Sequence, residues 1–369
     1  MAARAPLTFR PIDRGDSGRM LAINRACPIE ADFTFFFDRE PDFWAWPEAV
    51  FDRHVYLGGF AGQDLAAYAM LGFSQGWLGD RYGELFYAGD ARVLPAERGR
   101  GFTQDAGASL REQMPSRSLG YGIIKQGNDR ALGAFRRASW PDTEVQLLGT
   151  LEVANVLLLR RIKPRAGLVV RRARPQDLPA MVALMRRAYE QRLFAPPITE
   201  PGLLADAQGL PGFGLDCYYL AFRGDELVGA LGAWDMDPVR RTKVLRYGWR
   251  GHAIRLAYQA GGLVFRSAAP LPLPGQSFRA LTITRMAVPS ADPAILGDLL
   301  TAVANDHLGR GYHMMHVAFC GDDPLRPAVA PFMVQRFCSD LFVIARGIEL
   351  GPLRRTSAWR SPYVDLRFI

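Results

Sequence analysis

Cysteine is scarce in this chain. Cys27, Cys217, Cys320 and Cys338 are its four cysteines in 369 residues, too few and too far apart for a disulfide framework, and none stands in a CxxC pair. They read as small buried hydrophobes. Lysine is scarcer still: Lys125, Lys163 and Lys243 are the three, beside 42 arginines. So lopsided an arginine use reflects compositional bias as readily as phosphate recognition, and charge alone does not make nucleic acid an expected partner. Long apolar runs are also missing. No stretch reaches the ~18 consecutive apolar residues of a membrane span, and MAARAPLTFRPIDRGD has no apolar core ahead of its charges. The expectations are no membrane partner and a cytoplasmic location.

What is present is the composition of a soluble core-former, 49% hydrophobic and 22% charged, of a length that suits two domains. The net charge of +8 is uneven: residues 1–165 contribute +1 and residues 166–369 contribute +7.

An internal repeat accounts for the length. Leu7–Asp16 lines up with Leu168–Asp177, and Gly62–Ala67 with Gly224–Gly229. Each half reads as strand, helix, helix-like stretch, hairpin, a strand ending in Val-x-Pro or Val-Pro, helix, strand and helix. This is an α/β order, an α+β mixed sheet with helices on its faces. The boundaries fall at 1–162 and 167–369, joined by the basic stretch 160–167. The second copy carries about 32 extra residues near 236–275. That insertion holds Arg240, Arg241, Lys243, Arg246, Arg250 and Arg255, most of the charge excess.

The most specific segment is Ala91-Arg-Val-Leu-Pro-Ala-Glu-Arg-Gly-Arg-Gly-Phe-Thr103. A strand ends at Pro95, a glycine-bearing turn follows, and a helix begins. Glycines let the backbone approach a ligand, and free N–H groups at a helix start attract anions. Arg98 and Arg100 add positive charge. Taken alone, the Arg-Gly-Arg-Gly run is equally a plain turn. Beyond the strand Ser118 to Gln126, Asn128 is placed to cap a helix with Ala131 and Phe135 on one face, closed by Trp140 and Pro141.

This succession resembles the GNAT superfamily of N-acetyltransferases. Its loop pattern, Gln/Arg-x-x-Gly-x-Gly/Ala, is matched at Arg98 and Gly101 with Thr103 in the last place. Val93 and Pro95 match its Val-x-Pro, and Asn128 and Ala131 its later helix. The resemblance covers most of residues 7–160 and, more weakly, 168–350. It implies two tandem GNAT-like acyl-CoA N-acyltransferase domains, the second degenerate. It also implies acetyl-CoA as donor, with the amides of Arg98, Gly99, Arg100, Gly101, Phe102 and Thr103 around the pyrophosphate. The main chain at Val93 would pair with pantetheine, Asn128 would bond to it, and an amide near Val93 or Leu94 would face the oxyanion. Phe135 stands on the coenzyme side where the family has a proton-donating tyrosine. In the second copy Asp292, Pro293 and Ile295 replace Arg98, Gly99 and Gly101, and Leu325 replaces Asn128. A carboxylate repels phosphate and proline lacks an amide donor, so only the first half is expected to bind coenzyme.

Acyl transfer to an amine needs a base. On the strand Gly83–Asp90, alternation puts Glu84 and Asp90 on one face absent a bulge, either as bases or as a solvated face and an ion pair with Arg92. Tyr87 and Tyr121 are the nearest phenols that could supply an acid, or they pack. The stretch 31–46, with seven aromatics beside Asp32, Asp38 and Asp42, reads as a pocket selecting an ammonium group or as core. His313 and His316 fall on opposite faces of a strand-like run, so no metal is expected.

The reading is an N-acetyltransferase moving an acetyl group from acetyl-CoA to a primary amine of a small molecule or protein in a ternary complex. The alternatives are an inactive acyl-CoA-binding module with a structural second half, and an arginine-rich nucleic-acid binder using 240–255. A homodimer is possible on either reading.

Overall fold

The computed structural model describes residues 7–31, 33–137, 140–249, 251–253, 255–256 and 267–369. The first half runs β1 (Thr8–Pro11), α1 (Ser17–Ala26), β2 (Ile29–Glu30), β3 (Phe33–Asp38), α2 (Ala45–Val50), β4 (Arg53–Ala61), β5 (Asp64–Trp77), β6 (Tyr82–Val93), α3 (Phe102–Arg111), β7 (Ser118–Lys125), α4 (Asp129–Arg137) and β8 (Thr143–Leu157). The second runs β9 (Val169–Arg172), α5 (Leu178–Tyr189), α6 (Glu200–Gly209), β10 (Tyr218–Arg223), β11 (Glu226–Asp235), β12 (Arg241–Tyr247), β13 (Ser277–Phe278), β14 (Ala280–Ala287), α7 (Pro293–His307), β15 (Met314–Cys320) and β16 (Val334–Arg346). The repeat is visible in local geometry. The β4–β5 hairpin turns at Gly62 with φ 65° and the β10–β11 hairpin at Gly224 with φ 59°, a left-handed conformation that glycine adopts at little cost.

The halves do not close separate sheets. One sheet of 12 strands runs β1-β4-β5-β6-β7-β16-β8-β15-β14-β11-β10-β9. Each half's last strand lies in the other's part of it. Ser339–Arg346 of β16 pairs antiparallel with β7, and Leu151–Leu157 of β8 pairs antiparallel with β15. β8 and β16 pair with each other at the centre. A second sheet, β13-β12-β3-β2, joins the aromatic stretch of the first half to the insertion of the second: Thr242 stands opposite Phe37 and Val244 opposite Phe35.

The two faces of the main sheet are covered differently. On one, α3 packs over β1, β4 and β5 through Phe102, Ala106 and Leu110, with Phe135 of α4 against the same cluster, and α7 packs through Ile295, Leu299 and Val303. The other face carries the largest core, where Met20 and Ile23 of α1 and Met181 and Met185 of α5 meet Tyr68, Tyr87, Tyr121, Leu341 and Val343. Each such side chain contributes about 1.5–3 kcal/mol on burial. In the second half a 3-10 turn, Arg326–Val329, stands where α4 stands in the first. Pro327 and Pro331 remove the donors a longer helix would need. No helix among the described residues is long and apolar enough to cross a membrane.

Candidate active site

β6 and β7 pair in parallel from Leu85 opposite Leu119 to Ala88 opposite Gly122, and both then run on past that pairing, to Val93 and Lys125. The strands part there. On its other side β6 stays paired with β5, with a bulge: Arg92 faces Tyr68 but Gly89 faces Met70. Asp90, at the bulge, has φ 46°. The Leu94 amide donates to the Ala66 carbonyl at 3.0 Å, so of the two amides expected at an oxyanion Leu94 is occupied. Alternation along the strand turns the Val93 N–H and carbonyl the other way, toward the gap. The Val93 carbonyl there accepts from Arg98 Nε and Cys27 Sγ, each at 3.3 Å.

Past Pro95 the chain turns through Gly99 at φ 86° and Gly101 at φ 78°, and α3 starts at Gly101 without a side-chain cap. A Cβ at Gly99 would have nothing within 4 Å. The loop is open, and the first N–H groups of α3 point out of the helix end. Arg100 is tied to Glu97. Phe102 is buried against Phe9, ring centroids 5.8 Å apart, so only its amide faces the loop. Thr103 is in the same first turn. Asn128 caps α4, its side-chain oxygen accepting from the Ala131 amide at 3.2 Å. Phe135 packs 5.1 Å from Phe342 of β16 and 6.4 Å from Trp140.

The bulge separates the two carboxylates expected on one face. Glu84 lies with Arg53, which holds it through two hydrogen bonds of 3.1 and 2.8 Å, while Asp90 is turned to the opposite face among Arg39, Tyr56 and Tyr68. Asp90 accepts from the Arg39 guanidinium at 2.8 Å and from the Tyr56 hydroxyl at 2.9 Å. The side chains of Arg39 and Asp90 are 2% and 5% exposed. Burial alone would raise the pKa of Asp90, but Arg39 and Arg92 hold it below the ordinary carboxylate value. It is a fixed anion in this setting. Tyr121 is buried 5.4 Å from Tyr87 and 5.0 Å from Phe194. Burial raises the Tyr121 phenol well above its usual pKa and pushes Tyr87 up to about 12.

The aromatic stretch divides. Phe43, Trp44 and Trp46 are core, Asp38 is buried between Arg241 at 3.2 Å and Lys243 at 3.3 Å, and Asp42 accepts from the Trp44 amide at 2.9 Å. Asp32 lies outside the described residues. Phe33, Phe35 and Phe37 form a half-buried ladder, centroids 5.2 and 5.7 Å apart.

Sequence reasoning missed the residue that the insertion sends inward. Arg240 lies over Phe37 at 4.3 Å and Trp46 at 5.0 Å, and burial with the neighbouring Arg39 pushes its pKa down to about 9. In the sequence it is one of the insertion's basic residues and no more, because a chain segment's partner across a sheet is not written in the segment. His316, discounted as a metal ligand by its place on the strand, has a partner of another kind. Its Nδ1 stands 2.6 Å from the Asn155 side-chain oxygen. Burial and Arg240 push it down to about 4. His313, by contrast, is used structurally, accepting from the Arg279 amide at 3.0 Å.

The second half repeats the bulge, but its gap is lined by the chain's own C-terminal residues. Arg285 has φ 51°, and β14 and β15 pair only from Ala280 to Thr282. The space beyond, between Ile283, Met286, Ala318 and Cys320, is lined by Tyr363, Val364 and Asp365. Asp365 accepts from the Arg285 amide at 3.2 Å and the Thr284 hydroxyl at 2.6 Å. Asp292, opposite Arg98 in the repeat, caps α7 through the Ala294 amide at 2.8 Å. A carboxylate thus occupies the helix end that the first half leaves open.

The sequence matches no family model, and no curated protein matches it. Solved structures do match in shape. A GCN5-related N-acetyltransferase from Sphaerobacter thermophilus covers 93% of this chain and 98% of its own, at 16% identity and a TM-score of 0.56. Saccharomyces cerevisiae N-myristoyltransferase with bound myristoyl-CoA covers 99% of this chain and 86% of its own, at 10% identity and a TM-score of 0.59. The chain therefore has the tandem GNAT fold.

Proposed function

We propose that the protein is an acyl-CoA-dependent N-acyltransferase whose donor lies in the first half alone, with acetyl-CoA as that donor and a primary amine as acceptor. The reading rests above all on one contrast. The gap between β6 and β7 is followed by an open glycine loop and an uncapped helix, whereas its counterpart is lined by residues 363–365 and capped by Asp292. The fold shared with a GCN5-related N-acetyltransferase and with N-myristoyltransferase bound to myristoyl-CoA is consistent with it.

In this reading the amides from Arg98 to Thr103 receive the pyrophosphate at the start of α3, and Arg98 and Arg100 add charge. The Val93 N–H, turned to the gap, is the donor nearest the developing oxyanion, and its carbonyl exchanges Arg98 and Cys27 for the pantetheine arm when coenzyme binds. Leu94 contributes position only. Asn128 and Phe135 border the pantetheine arm. The buried rings of Tyr87, Tyr121 and Phe194 fill the closed end of the gap, which favours a short acyl group. The amine nitrogen attacks the thioester carbon, the C–S bond breaks, and the proton shed by the amine ends on the thiol of free CoA. Asp90, held by Arg39, orients the bulge; Glu84 and Tyr121 are weaker candidates for proton transfer, given the ion pair of one and the burial of the other.

The test is thiol release from acetyl-CoA with a broad amine panel, and a series of longer acyl-CoAs. The expected result is release that falls with chain length and is abolished in Arg98→Glu. Binding of acetyl-CoA with no turnover for any amine would instead make the protein an acyl-CoA-binding module.

A further inference from the structure

Arg240 is half-buried and differs from the paired arginines of the molecule. Arg39 is held by Asp90, Arg285 and Arg367 by Asp206, and Arg241 by Asp38. Among the described residues, Arg240 has no carboxylate within 4.0 Å and no side-chain hydrogen bond. Its guanidinium is held only by ring faces, Phe37 at 4.3 Å and Trp46 at 5.0 Å, and Arg39 stacks on the same indole at 4.5 Å. Its nitrogens are not among the sealed, partnerless polar atoms, as Arg39 Nε and Arg92 Nε are, so they still reach solvent or a ligand.

The charge balance of this region is incomplete. Asp38 and Asp90 face Arg39, Arg92, Arg241 and Lys243, with Arg240 next to Arg241 in the chain and Asp38 next to Arg39. Three cationic charges have no anion of their own. Interior cations are tolerated when an anion with matching geometry joins them, and a guanidinium fork matches a carboxylate through two parallel hydrogen bonds. The rings of Phe37 and Trp46 hold the guanidinium from its sides without taking up its N–H groups.

We propose that Arg240 binds a carboxylate of the acceptor, so that the amine substrate is an amino acid or another amine bearing a carboxylate. This rests on the acyltransferase reading. The carboxylate is a spectator in the transfer: it docks on Arg240, the amine reaches the thioester beside the β6 bulge, and amide and free thiol leave. The insertion thus supplies an acceptor contact from the half that holds no coenzyme.

The test compares amino acids with their carboxamides as acceptors in the thiol-release assay. The acids are expected to have a KM about 10-fold or more lower than the carboxamides, the size of one charged hydrogen-bonded contact. Arg240→Met should raise the KM of the acids about 10- to 100-fold, leave the KM for acetyl-CoA unchanged, and level acids with carboxamides. Arg240→Lys should restore part of the preference. Equal use of acids and carboxamides by the unaltered protein would overturn the proposal, as would a fall in kcat alone in Arg240→Met. If no amine is acetylated, the acyltransferase reading fails, and calorimetry with the same amino acids decides the site separately: binding heat lost in Arg240→Met supports it, and no heat with the unaltered protein overturns it. Circular dichroism of both variants checks that the fold is intact.

Discussion

Asp90→Asn probes the interior of the first half with one atom changed. The side chain keeps an acceptor for Tyr56, and asparagine tolerates φ 46° as well as aspartate does, so the backbone bulge is not what the substitution removes. The change removes the anion that Arg39 approaches at 2.8 Å with both side chains almost wholly buried. Arg92, 3.9 Å from the same carboxylate, loses its partner too. Removing one member of a buried pair typically costs about 3–5 kcal/mol. The retained Tyr56 contact places the expectation near ~3 kcal/mol. Urea unfolding followed by tryptophan fluorescence should show a lower midpoint with an unchanged slope. The double variant Asp90→Asn, Arg39→Met should lose less than the two single losses combined, since each removes the charge the other strands. Acid dependence gives a second reading. The folded pKa of Asp90 lies below its unfolded value, so its contribution is present above about pH 4 and disappears as pH falls through the folded pKa; Asp90→Asn should lack that part of the acid loss. A loss under ~1 kcal/mol, or full additivity in the double variant, would refute the reasoning.

Three further outcomes are expected. Gly101→Val forces a β-branched residue into φ 78° at the start of α3, and calorimetry should show acyl-CoA affinity lowered about 10-fold or more, beyond any change in unfolding midpoint. Gly120→Ala would set a methyl 2.3 Å from the Phe86 carbonyl oxygen, inside the parallel pairing of β6 and β7, and should cost about 1–3 kcal/mol in urea unfolding. Asp365→Ala strands the Arg285 amide and the Thr284 hydroxyl and should cost about 2–4 kcal/mol, while coenzyme stoichiometry stays at one per chain; two sites per chain in the unaltered protein would contradict the single-site reading.

Local features of this chain were legible in its residues, and pairings across the sheet were not. The turns at Gly62 and Gly224, the strand running to Val93, the open glycines and the cap at Asn128 all follow from chemistry within a few residues. The bulge at Asp90 is one register step, carried by no residue type that demands it, and it undid the alternation that grouped Asp90 with Glu84. The alternating pattern of β8 and β16 is the same whichever strand lies beside them, so nothing in it discloses that they trade places. Arg240 illustrates the same limit: a basic insertion reads as surface until β12 is seen to pair with β3. Asp38 could have raised the question, as an acidic residue inside an aromatic run, because a carboxylate set among rings needs a cation from elsewhere.

The exchange of β8 and β16 also sets a schedule for the ribosome. When the first half has been made, β7 has no neighbour on its far side, because Ser339–Arg346 is still to be translated, and β8 awaits Met314–Cys320. At about 5–20 residues per second the interval is on the order of ten seconds or more, during which an unpaired strand edge of the sheet is open to other nascent chains. The linker at 160–167 is therefore no place to divide the protein. A chain cut there would yield pieces that each withhold a strand from the other, and function would return only when both are mixed.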